Sequence, residues 1–520
     1  MHFFAHLLTR AILVACTLTA AMPAAGQSTA MPNASFNLIG HIEKFVIDGE
    51  TNGAVNDFTR GGTMTIRGQA VTLPRNLLVT MPGRYLLPTE LATSPIPGQM
   101  GSGLALADDP PPPVPFEAEV IGNIVKLEYI AAVVRISQGA LHIGAGFIQH
   151  IDETTGLMTI GAPGLRNGAK VVLNDVKGIF GLPNSQRGVL AGKLDPRFQL
   201  DPDNSPVHAR TGFPVCVPHG LISPGIHPCS NVPRPADIPR RFTCAGTGAT
   251  LGQAASTDAP AKKCDPAQPF PLAVGDYVTY VGMLTKVKID TEPEFIVAAH
   301  GLEAELGIYT SPGANPAYVF IEVALQGTKG EKFTDIPQEE TTRFRIVGFT
   351  TDPSRGVQVR LIDTMRDDVG ISLTGPAGLT PSNGLPLGRF RNTWGSKDNA
   401  RAVRRDVFAQ IVPAPRDTGP AIGSELPSGL KVGTYTAPIS EYIYPEVTNF
   451  GVRGFPVPVP TENFCFLFRN GGTYTRMADD LKPVSQRIPV TLDRLTPFPA
   501  SGHAESQTIN PPAPLRVCDP

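Results

Sequence analysis

GFIQHIDETTGLMTIG, residues 146–161, reads as two strands around an acidic turn. Gly146-Phe147-Ile148 leads to Ile151-Asp152, then Gly156, and then the short run Met158-Thr159-Ile160 closed by Gly161. Val171-Val172-Leu173 follows. The same order stands earlier in the chain, as Gly40-His41-Ile42, Ile47-Asp48, Gly62, Met64-Thr65-Ile66, Gly68 and Val71-Thr72-Leu73. Short β-branched runs punctuated by glycine are strand chemistry. Their recurrence predicts tandem small β units. A third unit is expected to begin at Gly275-Asp276 and to run through Tyr277–Val281 to Gly282.

Composition agrees with a β protein. The 520 residues include 53 Gly and 53 Pro, and each residue type is costly inside a helix. Charged residues are 17% and the net charge is −2, so no strong field steers a nucleic acid or another charged polymer. Hydrophobic residues at 41% suffice for a core and argue against wholesale disorder. Two long windows lack both Gly and Pro. Asn123–Gln138 is rich in Ile and Val and predicts strand, whereas Ser396–Val412 is the one window where a helix of several turns is expected.

The expected fold is therefore all-β: tandem small barrels of the OB type, then a β-sandwich, with a disulfide-stapled irregular segment between them. Composition places the boundaries at a β unit over 27–100, a Pro-rich linker over 101–115 and a second β unit over 116–194. A Cys-rich irregular segment over 195–270, a third β unit over 271–307, a sandwich over 308–448 and an irregular segment over 449–520 follow. On its repeat strings the chain resembles uncharacterised exported proteins built of OB-like β repeats. That resemblance implies a fold and carries no functional residue with it.

Residues 1–26 read as a secretory signal peptide. Arg10 supplies the charge, Ala11 to Ala21 the apolar run, and Ala24-Ala25-Gly26 the small residues before a cleavage expected ahead of Gln27. Leu13-Val14-Ala15-Cys16 resembles a lipobox, but the apolar run before it is short and continues past Cys16. No stretch is long and apolar enough for a membrane span. A secreted, periplasmic or cell-surface location is expected. The six remaining cysteines then predict disulfides, with sequence proximity favouring Cys216–Cys229, Cys244–Cys264 and Cys465–Cys518.

Few motifs carry chemistry. Cys216-x-x-His219 followed by His227-x-Cys229 has the residue types of a tetrahedral metal site, set against a disulfide between the same cysteines. Asp201-x-Asp203-Asn204 begins like a calcium loop, yet position twelve is Gly212 where a Glu is needed, and a turn is the plainer reading. The pairs Asp152-Glu153 and Glu339-Glu340 are adjacent in sequence, and adjacent residues on a strand face opposite ways. His142 and His150 near Asp152 are expected to be structural. Tyr435, Tyr442 and Tyr444 are expected in the core or at a sandwich corner. Gly246-Thr247-Gly248 with Gly252 lacks dinucleotide-binding spacing. No cofactor is expected. A non-catalytic exported structural or binding protein leads, with a surface polymer or a protein as partner and no nucleic acid. A secreted polymer hydrolase and a metal-binding exported protein are the alternatives.

Overall fold

The computed structural model describes residues 34–49, 60–73, 77–125, 127–138, 142–164, 167–201, 203–221, 229, 240–244, 264–289, 292–330, 339–362, 371–381, 387–394, 406–414, 419–438, 441–443, 473–477 and 487–491. The chain is all-β. The first unit has β1 (Ala34–Ile47), β2 (Gly62–Ile66), β3 (Gln69–Leu73), β4 (Val79–Thr80), β5 (Tyr85–Leu86), β6 (Glu117–Val125) and β7 (Glu128–Ser137). Strands β1, β2 and β3 form an antiparallel meander. Strand β7 pairs parallel with β3, and β6 joins β7 back to β1, closing a five-stranded barrel. Ile42, Met64, Ile66, Val71 and Val134 fill its core.

The second unit has β8 (His142–Asp152), β9 (Leu157–Gly161), β10 (Ala169–Leu173), β11 (Val207–Ala209), β12 (Val215–Cys216), β13 (Arg241–Cys244), β14 (Phe270–Pro271), β15 (Tyr277–Ile289), β16 (Glu292–Ala304) and β17 (Gly307–Thr310). Strands β8, β9, β10, β16 and β15 close a second five-stranded barrel with the same senses of pairing.

The two barrels agree residue by residue. Ile42 pairs with Ile66, and the register then slips past one residue so that Lys44 meets Thr65; Ile148 pairs with Ile160, and after the same slip His150 meets Thr159. Met64 pairs with Val71, and Met158 with Val171. Gly122 faces Ala131 with Ala132 bulged, and Gly282 faces Ala299 with His300 bulged. Val79 lies parallel beside Val134, and Val207 beside Leu302. A bulge adds one residue to one strand and bends it, so a pair of bulges at matching positions bends both barrels alike. The outer surfaces differ. His41 faces Glu117 at 3.9 Å in the first barrel, where the second stacks Phe147 edge-on to Tyr277 at 5.1 Å.

Three boundaries expected from composition are corrected. The strands from Tyr277 are the closing hairpin of the second barrel and begin no third unit. The Pro-rich run is no linker either. It lies inside the first unit, where Leu104 and Ala105 are buried and the Asp108 carboxylate accepts from Ser102 Oγ and from the amides of Leu104 and Ala105. The first barrel therefore runs from β1 to β7 across the proposed 100/116 divide. The physical reason is non-local pairing: each barrel is closed by a hairpin that follows a long insertion.

The sandwich has β18 (Val319–Gly330), β19 (Glu339–Thr350), β20 (Val357–Ile362), β21 (Ile371–Ser372), β22 (Arg389–Trp394), β23 (Asp406–Ile411), β24 (Thr434–Pro438) and β25 (Glu441–Ile443). The sheets run β22-β19-β18-β25 and β21-β20-β23-β24. Ile321, Phe344 and Ile346 of one meet Val359, Leu361 and Ala409 of the other in one core. The helix expected over Ser396–Val412 is corrected: its described part, Asp406–Ile411, is strand β23. Val407, Ala409 and Ile411 are buried while Phe408 and Gln410 are only partly so, which is period two. A further hairpin pairs β26 (Thr473–Met477) with β27 (Arg487–Thr491). Among the described residues no helix is long and apolar enough to cross a membrane.

Candidate functional site

The insertion of the second barrel, between β10 and β15, buries Asn174, Asp175, Arg187, Arg197, His208 and His219. Its anchor is Arg197. Nε and Nη2 of Arg197 bind both oxygens of Asp195, and Nη1 donates to the carbonyls of Leu91 at 3.2 Å and Ser102 at 2.9 Å in the first unit. Phe198 stacks on Phe116 at 5.1 Å beside it. Thus Arg197 is a buried cation with its donors engaged, and it ties the insertion to the first barrel.

Two disulfides brace the rest. Cys216 is bonded to Cys229 and Cys244 to Cys264, with Cα separations of 5.8 Å and 5.3 Å. The pairing takes the thiolates that the Cys216/His219/His227/Cys229 metal reading needs. His227, Cys465 and Cys518 lie outside the described residues. The bridges close loops with sequence separations of 13 and 20. For such loops the chain-entropy model gives about 3 kcal/mol each. Changing Cys244 and Cys264 together to Ser should lower unfolding stability by about that amount, read by urea titration.

A buried cluster is formed by the β8–β9 turn, the segment after β10 and the start of the Cys216–Cys229 loop. Asp152 holds the turn: Oδ1 accepts from the amide and hydroxyl of Thr154, and Oδ2 from the Thr155 hydroxyl at 2.6 Å. Burial opposes its charge, but those hydrogen bonds outweigh burial and hold the carboxyl below its ordinary value. Asp152 is thus engaged in the turn, and His150 is exposed. Gly156, with φ at +70°, completes the turn and donates to the Asp152 carbonyl at 2.7 Å. Side chains rarely adopt that φ. A Cβ there would also stand 2.5 Å from Arg187 Nη1.

Arg187 is 1% exposed. Nη1 donates to the Thr155 carbonyl at 3.0 Å and Nε to Asn184 Oδ1 at 3.3 Å, while Nη2 has no hydrogen-bond partner. Burial drives its pKa down to about 10, and the nearby charge of Asp175 opposes that shift. The Asp175 oxygens accept from the amides of Gly178 and Phe180, each at 2.7 Å. Burial raises the Asp175 pKa, while those amides and Arg187 act against it. His219, three residues beyond Cys216, is 1% exposed, and the backbone of Leu221 interacts with its ring. Burial and then Arg187 lower its pKa, and Glu153 and a hydrogen bond with the Leu221 backbone act against them. Glu153 Oε2 lies 3.7 Å from where a Cβ on Gly220 would stand.

Glu153 and His219, far apart in sequence, thus share one site with Arg187 and Asp175. Arg187 carried no sequence signal beyond lying between turn residues. The remaining candidates are structural or lie elsewhere. Asp201 accepts from the Asp203 amide and the Asn204 side chain, and Asn204 in turn pairs with both backbone groups of Thr436, docking this turn on the sandwich. Tyr435 is in the sandwich core. Glu339 and Glu340 lie on β19 and Tyr442 on β25, away from the cluster in the sequence of pairings, while Tyr444 is outside the described residues. Among the described residues no group of three or more His, Cys, Asp or Glu could hold a metal ion. Set against protein families, curated proteins and solved structures, the chain matches none of them.

Proposed function

We propose that this is an exported, non-catalytic binding protein of the cell surface or extracellular matrix. In this reading the two barrels are OB-like repeats that serve as a scaffold, and the disulfide-braced insertion of the second carries the binding site. The observation that supports it is the buried Arg187, with no partner for Nη2, in the same insertion that carries the two disulfides. Polar groups shut away from water cost free energy unless a partner meets them, so such groups are suited to meeting a ligand. Disulfides suit an oxidising compartment.

A polymer hydrolase is the second reading, favoured by Glu153 close to His219. Cosedimentation of the purified mature protein with isolated cell-envelope polymer, with soluble fragments measured alongside, separates the two. Saturable binding without fragment release is expected. Fragment release that scales with protein and is lost in Glu153→Gln would replace this reading with the hydrolase.

A further inference from the structure

Ile160 and Ala169 form the last pair of β9 and β10 in the second barrel, and Ile66 and Gln69 form the matching pair of the first. The first barrel joins its pair through Arg67-Gly68 alone, both at positive φ. The second uses Gly161 to Gly168 for the same connection, so most of that turn is not needed to close a barrel of this kind. One dipeptide in it is reactive. Asn167 is exposed, and Gly168 follows it, outside the ladder that begins at Ala169. Packing requires glycine at 168: a Cβ there would stand 2.5 Å from the Ile160 carbonyl oxygen and 2.7 Å from its carbon. Among the described residues neither the Asn167 side chain nor the Gly168 amide has a hydrogen-bond partner. Other asparagines are tied. Asn174 and Asn184 bond to one another, Asn204 to the Thr436 carbonyl, and Asn315 to the Pro420 carbonyl and Arg355. None of these four precedes a glycine.

We propose that Asn167-Gly168 is a site of spontaneous deamidation, a one-way covalent mark that the folded protein acquires with age. The inference goes beyond the binding reading above and does not rest on it. The Gly168 amide nitrogen gives up its proton to base and attacks Asn167 Cγ. A new C–N bond forms, the bond to the side-chain nitrogen breaks, and ammonia leaves. Water then opens the resulting succinimide at either carbonyl, which yields aspartate or isoaspartate. One water enters and one ammonia departs, with no oxidant, reductant or enzyme. Glycine favours the step because no side chain shields the attacking nitrogen and its backbone turns freely toward the ring geometry. The product carries one added negative charge. Isoaspartate also lengthens the backbone by one carbon just ahead of β10, and the long turn takes up that carbon while Ala169 keeps its pairing with Ile160.

The test uses the full mature protein with its disulfides intact. It is incubated at mildly alkaline and at mildly acidic pH, and its peptides are mapped by mass spectrometry with fragmentation that separates aspartate from isoaspartate. Conversion at Asn167 to both products is expected, faster at alkaline pH, while Asn174, Asn184, Asn204 and Asn315 stay intact. Asn167→Gln should lose the conversion, because the longer side chain has to close a larger, slower-forming ring. Residue 167 is exposed and outside the strands, so this variant keeps the fold. Asn52, Asn383 and Asn470 also precede glycine, lie outside the described residues, and are read on peptides of their own. An Asn167 that stays intact in the folded protein at alkaline pH, while the urea-unfolded chain converts there, overturns the proposal. Conversion of the four tied asparagines as fast as Asn167 overturns it as well, since the turn would then confer nothing.

Discussion

Replacing Gly122 or Gly282 with alanine is expected to cost each barrel most of its stability. Both glycines sit at the bulge where the closing hairpin turns across the barrel. A Cβ on Gly122 would stand 1.9 Å from the Ile130 carbonyl oxygen and 2.9 Å from its carbon. On Gly282 it would stand 2.4 Å from the Ala298 oxygen and 2.6 Å from Ala299 Cα. Ile130 and Ala298 occupy the same place in the two registers. These are backbone atoms inside a hydrogen-bonded ladder and cannot swing aside as a side chain would, so the ladder itself must move. Losses of about 4 kcal/mol or more fall in the range reserved for such backbone and overpacking clashes. Urea titration of each variant measures them. Matching large losses at both positions fit two barrels closed in one way, and a change below about 0.5 kcal/mol at either would mean that its bulge is misplaced.

Acid should destabilise the protein between pH 6.5 and pH 4. Burial lowers the His208 pKa from 6.5 to about 4, partly offset by its hydrogen bond to the Ala209 carbonyl, and burial likewise brings His300 to about 4. A depressed folded pKa means that the folded state prefers the neutral ring. The stabilisation is therefore fully present above pH 6.5 and is lost as pH falls through 4. At 1.36 kcal/mol per pKa unit, each histidine accounts for about 3 kcal/mol across that interval. Asp201 acts in the opposite direction. Burial raises its pKa from 3.8 to about 6, so its contribution is present below pH 3.8 and lost as pH rises through 6. Between pH 6 and 4 the three leave a net uptake of about one proton on unfolding. His300→Ala is the clean probe, because the first barrel carries Ala132 at the matching bulge and closes around it. Against the wild type, that variant should lose about 3 kcal/mol less stability on going from pH 6.5 to pH 4. His208 packs on Phe320 at 3.8 Å between ring centroids, so its replacement would also disturb packing.

What was legible in the sequence was local. Met64-Thr65-Ile66 and Met158-Thr159-Ile160 are matching strands, and the short runs with turns between them are a β protein. The two local cysteine pairs follow from proximity in an oxidised chain. What failed was non-local. Nothing near Val71 says that its parallel neighbour is Tyr129, and nothing near Val171 points to Val297. Composition therefore cut the first barrel at its Pro-rich insertion and read the closing hairpin of the second as a new unit. At Ser396–Val412 the absence of Gly and Pro suggested a helix, but the alternation of Val407, Ala409 and Ile411 against a sandwich core decided for strand. The candidate site shows the same split. Glu153 and His219 were visible as residue types, while Arg187 became notable only through its burial and its free Nη2.

The central claim is that an oxidised, exported chain holds a braced insertion with a binding site. The most direct measurement is a non-reducing peptide map, after alkylation of free thiols, of the protein recovered from separated cytoplasmic, envelope and medium fractions. The account predicts protein in the envelope or medium beginning at or near Gln27, with Cys216 linked to Cys229 and Cys244 to Cys264. Full-length protein retained in the cytoplasm with alkylated Cys216 and Cys229 would contradict it.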